Sequence, residues 1–140
     1  MEKNKLNPRF IEITSENYHE VVNDPSKTVV VIYVAKWCEK SRETIIHYDR
    51  ALNLVKIMPS FGKWNDLIIA HFDVSENEIE GLDIQGLPFF HIFPSGSSNK
   101  TPVEYHSRSR EPRLLLQEMI SNYGFEEIDS SIIYGAKYDL

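Results

Sequence analysis

Val29-Val30-Val31-Ile32-Tyr33-Val34-Ala35-Lys36-Trp37-Cys38-Glu39-Lys40-Ser41 is the stretch from which the rest of the chain can be ordered. Its first six residues are β-branched or aromatic, with no polar alternation. That pattern predicts a strand covered on both faces, in the middle of a sheet between helix layers. From Ser41 onward the apolar positions Ile45, Tyr48, Leu52, Val55 and Ile57 recur at roughly helical spacing up to Pro59, predicting a long helix directly after the central strand. Cys38 therefore falls at a strand-to-helix junction. Unpaired backbone N–H groups and the positive end of the helix dipole there favour a thiolate over a thiol. Lys36 and Lys40 push the same way and Glu39 opposes them, so the net direction is toward a lowered pKa. The competing reading of a lone cysteine is a small buried apolar residue.

Working outward, residues 10–13 read as a short strand, and Ser15 as the N-cap of a helix to Val22, closed by Asn23-Asp24-Pro25-Ser26. Beyond the long helix, residues 59–65 read as a loop and 67–73 as an apolar strand. Residues 75–81 read as a short acidic helix opened by Ser75. After Gln85-Gly86, residues 89–93 form a strand, 94–99 a turn and 103–106 its antiparallel partner. A last helix runs over 111–122, with Pro112 in its first turn and Gly124 as its stop. The succession β-α-β-α-β-α-β-β-α predicts an α/β fold, a central mixed β-sheet flanked by helices. Residues 1–124 are expected to form the domain, and 125–140 a tail with little power to build a core.

The 140 residues allow one core of ordinary size. With 15 Lys and Arg against 21 Asp and Glu, a net charge of -6 and no basic run, nucleic acid is not an expected partner. No apolar run approaches the ~20 residues of a bilayer span, so no membrane span is expected. Met1 to Phe10 lacks the apolar segment and cleavage site of a secretory signal, which reads as a cytosolic protein or as a mature or trimmed form. One cysteine excludes a disulfide within the chain and any Cys-only metal cage; no metal site and no cofactor are expected.

With these elements in place, the chain resembles the thioredoxin superfamily, and within it the catalytic-type domains of protein disulfide isomerases, over roughly residues 10–123. The resemblance rests on the apolar strand running into Ala35-Lys36-Trp37-Cys38 and on Ile84-Gln85-Gly86-Leu87-Pro88 in place of the family's loop before a cis-proline. It rests further on Phe89-Phe90-His91-Ile92-Phe93-Pro94 with its small-residue turn, and on Tyr105 ahead of a basic stretch. It implies a thioredoxin fold, a cis Pro88, and a loop whose backbone pairs with an extended client peptide beside the cysteine. Trp37, Leu87, Pro88 and Phe89 would form an apolar, client-binding rim; strand alternation makes it equally open that Phe89 points into the core.

The departures are as informative. Relatives that oxidise or reduce disulfides carry Cys-x-x-Cys; here the second position is Ser41, and a hydroxyl cannot resolve a mixed disulfide. Ser41 can donate a hydrogen bond to the Cys38 thiolate, or act simply as a helix N-cap. Ile32 stands where relatives bury an acid that shuttles the resolving thiol's proton, consistent with loss of the dithiol cycle. His71 stands at a position often held by a Lys facing that acid, and is read either as a group titrating near neutrality or as a satisfied or surface histidine. Arg108 or Arg110 corresponds to a mobile arginine of relatives, or to a solvated basic face.

The resemblance thus implies a monothiol disulfide-isomerase-like protein of the secretory pathway, with Cys38 and Ser41 as its catalytic residues. It would act on client proteins with free or mispaired cysteines, through isomerisation or thiol-mediated retention, with glutathione as a releasing thiol. The alternative is a non-catalytic chaperone or adaptor module. A monothiol glutaredoxin is disfavoured, since those proteins carry Gly-Phe between Cys and Ser, and here the pair is Glu39-Lys40. The C-terminal Lys137-Tyr138-Asp139-Leu140 resembles a retrieval signal, implying the endoplasmic reticulum lumen and a retrieval receptor as partner, against the cytoplasmic alternative. Asn99-Lys100-Thr101 is a glycosylation acceptor pattern.

Overall fold

The computed structural model describes residues 10–56, 62–84, 86–105 and 112–128. Five strands form one sheet in the order β1-β3-β2-β4-β5: β1 Phe10–Ile13, β2 Thr28–Val34, β3 Leu67–Asp73, β4 Phe89–Phe93 and β5 Val103–Tyr105. β1 and β2 lie parallel to β3 on either side of it, whereas β4 runs antiparallel to β2 and β5 to β4. The helices are α1 Tyr18–Val22, α2 Glu39–Lys56 and α3 Arg113–Asn122. The fold is the expected mixed sheet flanked by helices.

β2 is the central strand, and all seven of its residues are buried. Its alternation divides the core in two. Val30, Ile32 and Val34 pack with Tyr48 and Leu52 of α2 and with Leu115 and Met119 of α3. Val29, Val31 and Tyr33 pack with Tyr18 and Val22 of α1, and Val74, Ile79 and Leu82 of the segment after β3 cover the same face. A run of β-branched residues suits this position because both pleat faces meet apolar layers.

Four expectations are corrected. Residues 75–81 form turns and extended chain instead of a helix. Asp73 takes the local donors: its Oδ1 accepts from Ser75 N (2.9 Å) and Oγ (2.5 Å), and its carbonyl from Asn77 Nδ2 (3.2 Å). These bonds compete with a helical ladder, and Glu76 and Glu80 at i,i+4 would repel within one. Ser15 is no N-cap: α1 begins three residues later, and the Ser15 N–H donates instead to Asn77 Oδ1 at 3.0 Å. Within the expected loop 59–65, the described part belongs to a 3-10 helix, Gly62–Asp66, that carries the fully buried Trp64.

The fourth correction concerns the segment after Gly124. Phe125 and Ile128 are buried in the α2–α3 core, so the packed body continues to Ile128. Phe125 meets Trp64 edge-on at 4.7 Å, Trp64 Nε1 donates to the Glu126 carbonyl at 2.8 Å, and the Lys63 N–H donates to the Glu126 carboxylate at 2.9 Å. The 3-10 helix supplies the apolar and polar partners this stretch lacks by itself. Residues 129–140, and with them Lys137–Leu140, lie outside the described residues, as do Gln85, His106, Arg108, Arg110 and the expected end of α2 near Pro59.

Candidate functional site

Cys38 immediately precedes α2 and is partly exposed. A tight turn carries the chain from β2 into the helix: Cys38 N donates to the Ala35 carbonyl at 3.0 Å, and Arg42 N donates to the Cys38 carbonyl at 3.1 Å as the first helical bond. The sulfur occupies the N-cap position and accepts what an N-cap oxygen would accept. Its strongest partner is the Ser41 hydroxyl, followed by the Ser41 and Lys40 N–H groups. These bonds hold the thiol pKa below its ordinary value, with a smaller contribution from the Lys40 charge.

Ser41 is fully buried in the first turn of α2, so the simple N-cap reading does not hold; Cys38 is in that place. The Ser41 oxygen accepts the Ala35 N–H at 3.3 Å, and its hydroxyl is the largest influence lowering the Cys38 pKa. One hydroxyl thereby links the turn after β2 to Cys38. Lys36, expected to assist, is instead exposed and ion-paired with Glu76. Arg42 Nη1 donates to the Lys36 carbonyl at 2.5 Å, tying the turn down from the helix side.

Because β4 pairs antiparallel with β2, with Tyr33 opposite Phe89, the Leu87–Pro88 corner lies at the same end of the sheet as the Cys38 turn. The Leu87–Pro88 peptide bond is cis, as expected from the resemblance. Trp37 is 71 % exposed, and Leu87 and Pro88 are half-buried. Phe89 does not belong to this rim: it is only 8 % exposed and packs against Tyr33 and His91 at 6.0 and 5.1 Å between centroids. Strand alternation turns it to the α1 side of the sheet.

His71 pairs in register with Ile32 and stacks on Phe10 at 5.1 Å, beneath a cavity of about 400 Å³ also lined by Glu12, Val34, Ala35, Arg42, Ile45 and Asp73. Burial lowers its pKa, while the carboxylates of Glu12, Asp73 and Asp49 act more weakly in the other direction. His71 is thus half-buried and not a surface histidine, and its surroundings move its titration downward. Two features have no single-residue signal: this cavity and a buried Tyr18–Tyr33–His91 hydrogen-bonded chain. The one cue in the sequence is a polar-tipped residue, Tyr33 or His91, inside an otherwise apolar strand.

Among the described residues no His/Cys/Asp/Glu group is arranged to hold a metal ion, and no helix is long and apolar enough to cross a membrane.

Comparison with known proteins agrees with this fold. The protein-family model described as Thioredoxin matches residues 9–119. The protein disulfide-isomerase of Saccharomyces cerevisiae is 29 % identical over 123 residues, 88 % of this chain and 22 % of that protein. A Caenorhabditis elegans protein disulfide-isomerase 1 is 28 % identical over 93 residues, 66 % of this chain and 18 % of the other. The chain thus spans about a fifth of the length of these curated relatives. Among solved structures, the zinc-bound form of human ERp44 superposes with a TM-score of 0.63 at 18 % identity, covering 80 % of this chain and 30 % of that one. Thioredoxin f from spinach chloroplast gives 0.59 at 18 % identity over 86 % and 91 % of the two chains.

Proposed function

Since the chain belongs to the thioredoxin family, with protein disulfide-isomerases among its sequence relatives, we propose that it is a monothiol member that forms mixed disulfides with client cysteines. The observation that carries this is the Cys38 sulfur: partly exposed, held toward the thiolate by Ser41, and set at the same sheet end as Trp37 and the Leu87–Pro88 corner. The thiolate attacks one sulfur of a mispaired client disulfide, the new S–S bond forms to Cys38, and the other client sulfur leaves as a thiolate. A second thiol, from the client or from glutathione, then attacks the client sulfur, and Cys38 departs as a thiolate. Its lowered pKa makes it a good leaving group. With Ser41 in the second motif position, no disulfide is stored, so the net chemistry is isomerisation or thiol-mediated retention, without a dithiol oxidase or reductase cycle.

The test compares Cys38→Ala and Cys38→Ser with the parent in scrambled-ribonuclease refolding and in trapping of clients after alkylation. Both variants are expected to lose the trapped species. If both trap clients as well as the parent, the protein is a non-covalent chaperone or adaptor, a role to which the exposed Trp37 is suited. The parent is expected to reduce insulin negligibly, and Ser41→Cys to raise that rate. No gain would mean that Ile32, in place of a proton-accepting acid, also blocks the cycle.

The secretory pathway is the proposed setting, supported by the protein disulfide-isomerases among the chain's relatives. In cells, protection of the protein from protease by intact microsomes is the expected result; a protease-sensitive cytosolic protein would refute the assignment.

A further inference from the structure

On the sheet face turned away from α2 and α3, three titratable side chains from three elements form one hydrogen-bonded chain. Tyr18 Oη of α1 lies 2.7 Å from Tyr33 Oη of β2, which lies 3.0 Å from His91 Nδ1 of β4. All three residues are buried, His91 at 8 % exposure. Around the imidazole, Tyr33, Phe89 and Phe93 stand nearly perpendicular, with centroids 5.2, 5.1 and 5.8 Å away. The charged group facing it is Glu104 of β5, its cross-strand partner. Tyr33 faces it from β2, Tyr18 lies beyond from α1, and His19 touches the far side of the Tyr18 ring.

Such a chain is stable among apolar side chains only while its members satisfy one another. With the imidazole neutral and its proton on Nε2, Nδ1 accepts from the Tyr33 hydroxyl, whose oxygen accepts from Tyr18. A second proton on Nδ1 leaves three protons for two bonds: His91 must donate to Tyr33, so one of the two tyrosine protons must find another acceptor. The new charge also sits against three aromatic rings, with Glu104 the one charged group acting on it among the described residues. Burial accordingly lowers the pKa of His91, and the Glu104 charge opposes this more weakly.

The chain is mechanically connected to the client edge. Phe89 directly follows the cis Leu87–Pro88 corner, and its ring contacts both Tyr33 and His91. We propose that the Tyr18–Tyr33–His91 chain is an acid-responsive switch on the Leu87–Pro88 corner: a proton on His91 breaks the chain, loosens Phe89 and weakens the hold on a client. The consequence for clients rests on the function proposed above; the loosening of the corner does not.

The two are separated by measuring the full chain between pH 7.5 and 5.0, with amide hydrogen exchange at Leu87, Phe89 and Phe90 and the His91 ring resonances followed together. Exchange corrected for its intrinsic pH dependence is expected to rise at least about threefold along the His91 titration, the signature of local opening. His91→Gln is expected to abolish that rise. Tyr33→Phe, which removes the central oxygen but keeps the ring, is expected to shift the His91 midpoint and serves if His91→Gln does not fold. Exchange that ignores the His91 titration, or a midpoint unmoved in Tyr33→Phe, would overturn the switch. Capture of a disulfide-bearing peptide should fall in the same pH range relative to His91→Gln. A corner that responds while no peptide is captured at any pH would sink the client reading and leave the switch standing.

Discussion

At the scale of single residues the proposed site reduces to a sulfur and a hydroxyl. Ser41 donates to Cys38 and accepts from Ala35, so replacing it removes both a stabilising proton and the brace beneath the turn. Ser41→Ala is expected to raise the pH midpoint of Cys38 alkylation toward the ordinary thiol value of about 8.5. The sign follows from the bond: the hydroxyl proton stabilises only the charged sulfur, so its loss favours the thiol and slows alkylation near neutral pH. An unchanged midpoint would mean that the Lys40 and Ser41 N–H groups suffice. Position at the strand-to-helix junction is enough to mark Cys38 as a lowered-pKa thiol. It does not reveal that Lys36 is drawn to Glu76, because the segment supplying Glu76 reads locally as a helix.

Among the elements, the segment after β3 departs furthest from expectation. A Ser-led acidic stretch has the local marks of a helix start, yet Asp73, whose side chain is almost fully buried, collects the Ser75 donors and Asn77 reaches across to Ser15. Asp73→Ala is expected to destabilise the protein by about 1–3 kcal/mol by leaving those donors without their acceptor. Urea unfolding measures the loss, and the accompanying Cys38 alkylation rate should remain near that of the parent. A variant as stable as the parent would show that water replaces Asp73 at no cost. The strands are readable because each carries its burial pattern along a few consecutive residues. This segment is not, because its conformation depends on partners 62 residues distant, such as Ser15.

Across the whole molecule the second core layer and the far end of the chain are decisive. Phe125 meets Trp64 edge-on within the α2–α3 core, so Phe125→Ala is expected to cost about 3–5 kcal/mol. A chain cut after Gly124 should show the same loss in thermal unfolding, and one cut after Ile128 should not; equal melting of the two would return the domain boundary to 124. Stability should also depend on acid. His71 and His91 both have folded-state pKa values below their unfolded value of about 6.5, so the unfolded state binds more protons in that range. Stability is therefore complete above about pH 6.5 and declines as the pH falls through the unfolded value toward the folded ones. The urea midpoint should decrease from pH 7.5 to pH 5, and His91→Gln should flatten part of that slope.

The sequence by itself determined the sheet, the helix after its central strand and the place of Cys38 between them. These depend on hydrophobic period and on junction chemistry, which are local and survive in one dimension. Only the tertiary structure decided that Phe89 turns inward, that Phe125 and Ile128 complete a core, and that Tyr18, Tyr33 and His91 meet on one face. Each of these requires partners from separate strands and helices. Their identity is set by strand order and register, quantities that no short window of sequence contains.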